Sequence, residues 1–292
     1  MIENAPGVYP ALQVILTPGG RAAQASMLDV DFGEHTDIGK VRDQNEDSHG
    51  HVAPANPAQA RSHGWLFVLA DGVGGHERGE VASRMAVDCV VEGFRESRSG
   101  EPHTALLPRL AEKANLRVYE AGRVAAPGGA RMATTLVACA LRYDRAVIAH
   151  VGDSRCYLIR RGRATPLTQD HTVANEHVRL GLISASDSSQ SANRHMLLRS
   201  LGNDLFVKVD VTQTQVVPGD LLLLCCDGLH GALEAADMAR VVTQTKDLHE
   251  AARQLVALAN ERDGSDNISV QLVRIKGVER VGMYRGRPYK LR

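Results

Sequence analysis

The sequence predicts an α+β fold in which antiparallel sheets are covered by helices. Strand-like runs outnumber helical ones, short turns join most of them, and the helical stretches are few, long and one-sided. A leading segment, residues 1–27, carries two prolines and a Pro-Gly-Gly, with one apolar stretch at 12–16 that would add a strand. Strands follow at 65–70, 134–142, 145–150, 155–160, 206–215, 220–226 and 268–275, each rich in Val, Leu, Ile, Thr or aromatic residues. The runs at 65–70 and 221–226 are apolar without alternation, so both faces of those strands must be buried. Helical spacing appears at Val81, Met85 and Cys89, at Leu106, Leu110, Ala114 and Val118, and at Leu248, Ala251, Ala252, Leu255 and Leu258. Breaks rich in Pro, Gly or Ser at 54–60, 97–102, 126–130 and 184–193 read as loops.

Composition bounds the function. The 292 residues hold 34 basic and 34 acidic side chains, so no global field draws the chain to nucleic acid or anionic lipid. Apolar content of 43% with 23% charged residues is ordinary for a globular protein. No apolar stretch approaches the ~20 residues of a membrane span. Five cysteines, Cys89, Cys139, Cys156, Cys225 and Cys226, show no Cys-x-x-Cys spacing and sit mostly in apolar runs, which points to reduced thiols. The first residues lack a basic start followed by an apolar core, so a cytoplasmic location is expected.

The chemistry lies in carboxylates at strand ends. The run 65–70 leads into Asp71-Gly72, and the run 221–226 leads into Asp227-Gly228. One Asp-Gly after a strand is ordinary turn chemistry. Two, with Asn45-Glu46-Asp47 upstream and Asp266-Asn267 downstream, suggest a shared cation. Mg2+ and Mn2+ prefer oxygen ligands and keep several waters, so one or two carboxylates per ion suffice. Asp71, Asp227 and Asp266 meet that need, and the glycine after Asp71 lets the Gly72 carbonyl approach as well. Paired metals activate a water for in-line displacement at a phosphate ester. Arg42, four residues before Glu46, offers the planar fork that grips a phosphate, although a surface arginine would look the same in sequence.

The motifs, taken in order over residues 31–275, resemble the metal-dependent protein Ser/Thr phosphatases known as the PPM or PP2C family, in the bacterial style. They are Lys40-Val-Arg-Asp-Gln-Asn-Glu-Asp-Ser48, the stretch from Ala70 to Ser83, Ala133-Thr-Thr-Leu136, His150-Val-Gly-Asp-Ser-Arg155, Leu167-Thr-Gln-Asp-His171, Cys226-Asp-Gly-Leu229 and Asp266-Asn-Ile-Ser269. The resemblance implies two packed antiparallel β-sheets flanked by helices, a four-layer α-β-β-α sandwich, with a two-metal cleft at the sheet edges. It implies a phosphatase domain at 28–275 and a flap beside the cleft at about 171–203. It implies hydrolysis of phosphoserine and phosphothreonine by direct attack of a metal-bound water. Asp71 would bridge two Mn2+ or Mg2+ ions, Gly72 would lend its carbonyl to one, and Asp227 and Asp266 would bind the other. Glu46 and Asp47 would hold metal-bound waters and Arg42 the phosphoryl group. Asp153 would be a structural hydrogen-bonding residue. Phosphorylated proteins and a cognate Ser/Thr kinase are the implied partners, and the chain is expected to be a monomer.

Departures from the pattern matter as well. Bacterial members commonly bind a third metal through an acid just before the position of Ala133-Thr134-Thr135. This chain has no acid between Glu120 and Asp144, and Arg131 places a positive charge there, so a third ion is doubtful, with Asp170 and Asp227 as weak ligands. The histidine that animal members carry after the Asp-Gly is Val73, with His76 three residues on. The flap's middle, 184–192, has little to bury and is expected to be mobile. The tail, 276–292, carries six basic residues (Lys276, Arg280, Arg285, Arg287, Lys290, Arg292) against Glu279, and suits either an acidic partner or solvent.

Rival readings are weaker. Cys89 and Arg95 have the Cys-x5-Arg spacing of cysteine phosphatases, but Cys89 lies on a helical stripe and Glu92 would repel phosphate. The glycines after Asp71 lack a full dinucleotide fingerprint, and Asp263-Gly-Ser-Asp-Asn267 lacks calcium-loop spacing. His49 and His51 could bind zinc only with further ligands. A catalytically silent phosphoprotein-binding relative is the main alternative from another class. A phosphatase of a sigma-factor regulator is the milder one.

Overall fold

The computed structural model describes residues 28–73, 78–125, 132–184, 187, 193, 195–284 and 287–290. The strand assigned at 12–16, His76, Arg131 and most of the flap's middle lie outside them, as do Arg285, Arg292 and the side chains of Arg287 and Lys290.

Two five-stranded antiparallel sheets pack face to face. The first runs β1 (Asp29–Asp37), β10 (Ile268–Gly277), β9 (Leu221–Cys225), β6 (Arg155–Arg160), β7 (Arg163–Pro166). The second runs β2 (Asp47–Val52), β3 (Trp65–Asp71), β4 (Leu136–Arg142), β5 (Arg145–Val151), β8 (Asp210–Gln215). A separate hairpin, β11 (Val281–Tyr284) and β12 (Arg287–Lys290), follows β10. The seven helices among the described residues are α1 (Pro57–Ser62), α2 (Gly79–Arg95), α3 (His103–Ala125), α4 (Val173–Arg179), α5 (Asp227–Ala232), α6 (Ala235–Gln244) and α7 (Leu248–Arg262).

The unbroken apolar strands now have their reason. In β3, Phe67 and Leu69 join Val137, Cys139, Ile148, Leu222, Leu224 and Val273 in a layer between the sheets. Their neighbours Leu66, Val68 and Ala70 face α2 and α3 instead. In β9, Leu222 and Leu224 point between the sheets, while Leu221, Leu223 and Cys225 pack under α6 and α7. Side chains alternate along a strand, so apolar residues at every position require a cover on both faces. The four-layer arrangement follows.

Strands β1, β2 and β7 were not expected, because edge positions admit polar residues: β2 reads Asp-Ser-His-Gly-His-Val. The helical stripe over α2 is corrected. Val81 is exposed and Met85 half-buried, whereas Ala82, Ala86, Val87, Cys89, Val90 and Phe94 are buried. Ala82 and Ala86 share that contact with Val87, Val90 and Phe94, while Val81 and Met85 mark a neighbouring face. The strand expected at 206–215 starts at Asp210, and Phe206 is exposed. Helix α7 begins with a capping arrangement in which the Asp247 carboxylate accepts the Glu250 N–H at 2.7 Å. The domain boundary expected at 275 falls inside β10, and beyond it Val278 and Glu279 are buried, with Glu279 paired to Arg61 at 2.9 Å.

Strand β1 lies close under α7. A β-carbon on Gly33 would stand 2.3 Å from the Leu248 carbonyl carbon and 2.4 Å from the His249 nitrogen. Gly33→Ala is therefore expected to cost about 1–3 kcal/mol by overpacking, read from the urea midpoint of unfolding. A midpoint equal to the wild type would mean that α7 can back away freely.

Candidate metal centre

Sheet registry gathers the acidic motifs at one end of the sandwich. Asp47, the first residue of β2, pairs directly with Asp71, the last of β3. Asp227 opens α5 after β9, and Asp266 precedes β10, whose Val270 pairs with Cys225. Asp153 sits in the turn between β5 and β6. Residues more than 200 positions apart thus share one cleft of about 780 Å³. Its wall includes Arg42, Asp71, Gly72, Asp153, Asp227 and Asp266.

The scaffold pins these groups through their backbones. The Asp71 carbonyl accepts from the Thr134 hydroxyl and the Thr135 N–H, each at 2.8 Å, and the Asp71 N–H donates to the Thr135 hydroxyl at 2.9 Å. Asn267 holds the segment before β2: its amide donates to the Ile38 and Gln44 carbonyls at 2.9 Å, and its oxygen accepts the Glu46 N–H at 2.8 Å. Gly72 donates to the Glu46 carbonyl at 3.1 Å, and a β-carbon there would stand 2.5 Å from the Gly79 carbonyl group. Only glycine lets these chains meet so closely.

Each predicted residue can be placed. Arg42 lies at the cleft wall and donates to Asp266 at 2.8 Å. Glu46 and Asp47 stand behind the open space rather than lining it, with the Glu46 carboxylate beside Gly79. Asp170 lines the cleft, but Arg155 grips both its oxygens, at 2.8 and 2.6 Å, which leaves it poorly disposed to bind an ion. Val73 occupies the wall after the Asp-Gly, and His195 of the flap reaches to 3.4 Å from Asp227. Cys89 is buried on α2 and burial raises its thiol, opposite to what a cysteine nucleophile needs.

Two residues stand closer to the metal centre than their sequence context suggests. Asp153, expected as a structural hydrogen-bonding residue rather than a ligand, lies in the cleft wall close enough to Asp227 to feel its charge. It lies in the β5–β6 turn, whose Gly-Asp-Ser composition reads as an ordinary turn. Cys226, which reads as the last apolar residue of a run, places its sulfur within 4.8 Å of carboxylate oxygens of Asp47 and Asp71.

The electrostatics call for a cation. Burial drives the Asp71 carboxyl well above its ordinary range, and Asp47, Asp227, Asp153 and Asp266 push it further. Burial lifts Asp47 to about 7, against the pull of Ser269 and Cys226, and lifts Asp153 to about 8 with help from Asp227 and Asp170. Burial works to raise Asp227 as well, but His195 overcomes it and holds that carboxyl low. Both Asp47 oxygens are buried and accept no hydrogen bond of good geometry among the described residues. Packed carboxylates with open acceptor positions fit hard divalent ions.

The match to the family model for protein phosphatase 2C covers residues 41–265. The chain belongs to the protein phosphatase 2C family. It is 35% identical to the serine/threonine phosphatase stp of Listeria innocua, over 86% of this chain and 96% of that one. It is 31% identical to the protein phosphatase PhpP of Streptococcus pneumoniae, over 82% of this chain and 94% of that one. Among solved structures, the Streptococcus agalactiae serine/threonine phosphatase aligns with a TM-score of 0.77 at 33% identity, covering 85% of this chain and 100% of that one. The catalytic domain of the phosphatase PstP, solved with two manganese ions, aligns with a TM-score of 0.71 at 29% identity, over 85% of this chain and 98% of that one. This chain is a metal-dependent protein phosphatase, and the two-sheet fold is the family's.

A pH dependence follows from the raised carboxyls. Asp47 rises from 3.8 to about 7 and Asp153 from 3.8 to about 8, so the folded, ion-free protein keeps protons there that the unfolded chain has released. Between about pH 4 and about pH 8 its stability falls as pH rises, and because ions bind the deprotonated groups, stabilisation by Mn2+ grows over the same window. Thermal melts in EDTA and in Mn2+ at about pH 5.5 and about pH 8 should show the gap widening with pH. A gap independent of pH would contradict the assignment of these groups.

Proposed function

We propose that the chain removes phosphate from phosphoserine and phosphothreonine side chains of proteins, using Mn2+ or Mg2+ in the cleft of Asp71, Asp227 and Asp266. The supporting observation is the convergence of these carboxylates with Arg42 in one open cleft. Asp71 and the Gly72 carbonyl would hold one ion, and Asp71, Asp227 and Asp266 a second. Divalent ions there supply an acidified water and neutralise the phosphoryl oxygens. The names of the Listeria and Streptococcus relatives support serine and threonine as the targets.

The chain's own groups position the substrate. Arg42 stands at the cleft wall with a guanidinium that donates to Asp266, and an incoming phosphoryl group would take over some of those N–H groups. Glu46 and Asp47, set behind the cleft, order water through acceptor oxygens. Retention of Arg42 and of the core carboxylates supports a working enzyme over a silent phosphoprotein-binding relative. A Ser/Thr kinase that writes the phosphates is the implied partner. The catalytic domain starts at 28, carries its flap at 171–203 and extends past 275 to include the end of β10 and the buried Val278 and Glu279; it acts as a monomer in the cytoplasm. Among the described residues no helix is long and apolar enough to cross a membrane.

Hydrolysis of para-nitrophenyl phosphate and of a phosphothreonine peptide should require Mn2+ or Mg2+. Asp71→Asn and Asp227→Asn are each expected to lower kcat by roughly a thousandfold or more with the fold intact by circular dichroism, while Arg42→Ala mainly raises KM, by about tenfold. Phosphate release that survives EDTA and Asp71→Asn would refute the proposal.

A further inference from the structure

Cys226 has no part in the reaction above, yet it stands at the metal centre. Its Sγ and one oxygen each of Asp47 and Asp71 all lie within 4.8 Å of one another. The three come from adjoining strand ends: Asp47 and Asp71 are paired across β2 and β3, and Cys226 follows β9. The sulfur is fully buried and firmly seated, accepting the Ser269 N–H at 3.1 Å and donating toward the Asn267 carbonyl at 3.3 Å. Beside it, the Asp47 carboxylate is buried with neither oxygen in a hydrogen bond of good geometry among the described residues. Such a group is costly to bury unless a cation joins it. Hard ions gain little from sulfur, whereas two carboxylates and a thiolate make a donor set suited to zinc or cadmium.

From this arrangement we infer that Asp47, Asp71 and Cys226 form an inner site for a thiophilic divalent cation, Zn2+ or Cd2+. On binding, the S–H bond breaks, a sulfur–metal bond forms, and the proton passes to water. Asp71 is shared with the Mn2+ or Mg2+ pair, so the inference rests on the proposed function for Asp71. The thiophilic ion and the hard pair then compete for one carboxylate, and zinc acts as an inhibitor by taking Asp71.

The test is a Cd2+ titration of the full chain after removal of metal with EDTA, followed by ultraviolet sulfur-to-cadmium charge-transfer absorption. Mn2+ binding is followed in parallel by electron paramagnetic resonance. All five cysteines are buried, so surface thiols do not contribute to the band. The wild type should develop the band with one equivalent of Cd2+. Cys226→Ser, whose hydroxyl can keep both hydrogen bonds, should lose the band and weaken Cd2+ binding by roughly tenfold or more, while Mn2+ still binds. Cys89→Ser should keep the band. Should Cys226→Ser fail to fold, Asp47→Asn replaces it, and a Cd2+ affinity weakened with the thiolate band still present at saturation supports the site. No band in the wild type, an equal band in Cys226→Ser, or an unchanged Cd2+ affinity in Asp47→Asn overturns it. Absence of Mn2+ binding in a wild type that shows the cadmium band would count against the proposed function and not against the inner site.

Discussion

Repulsion among buried carboxylates is the constraint around which this molecule is built. Asp47, Asp71, Asp153 and Asp227 are held near one another, and burial and mutual charge push three of the four away from ionisation. A chain free to relax would spread them. Here Asp71 is clamped through its own backbone by Thr134 and Thr135, and the segment carrying Glu46 and Asp47 is tied down by Asn267. The cost of holding like charges together becomes affinity once a divalent ion is present, so metal binding and stability are linked.

The fold explains why that restraint holds. Asp71 belongs to one sheet, and Asp227 and Asp266 are placed by the other. The distance between them is fixed by the side chains packed between the sheets, Phe67, Leu69, Leu222, Leu224 and Val273 among them. Interiors of this kind are close-packed and deform little, so a change in that layer is felt at the cleft. Sequence separation of the ligands is therefore no obstacle: registry within each sheet brings each acid to the same end, and sheet packing sets the gap.

Strand positions buried on both faces were legible in the sequence, because β3 and β9 could not be apolar throughout in any other setting. Edge strands β1 and β2 were not, since Asp, Glu, His and Gly satisfy an edge as well as a loop. The face of α2 was misread for a related reason: close packing against the sheet selected Ala82 and Ala86, while Val81 and Met85 drew attention by size. At the site, Asp71, Asp227, Asp266 and Arg42 were visible as acids and a base at strand ends within ordered motifs. Asp153 was hidden in a turn whose composition needs no further explanation, and Cys226 in an apolar run. Proximity in space, set by β2–β3 pairing and by the β5–β6 turn, is what gives those two residues their chemistry.

The most direct measurement of the central claim is anomalous diffraction at the manganese edge from crystals grown with Mn2+. The account predicts two strong peaks roughly 3.5–4 Å apart in the cleft, with Asp71 between them and Asp227 and Asp266 on one. Peaks confined to the surface, or none within coordination distance of Asp71, would contradict it.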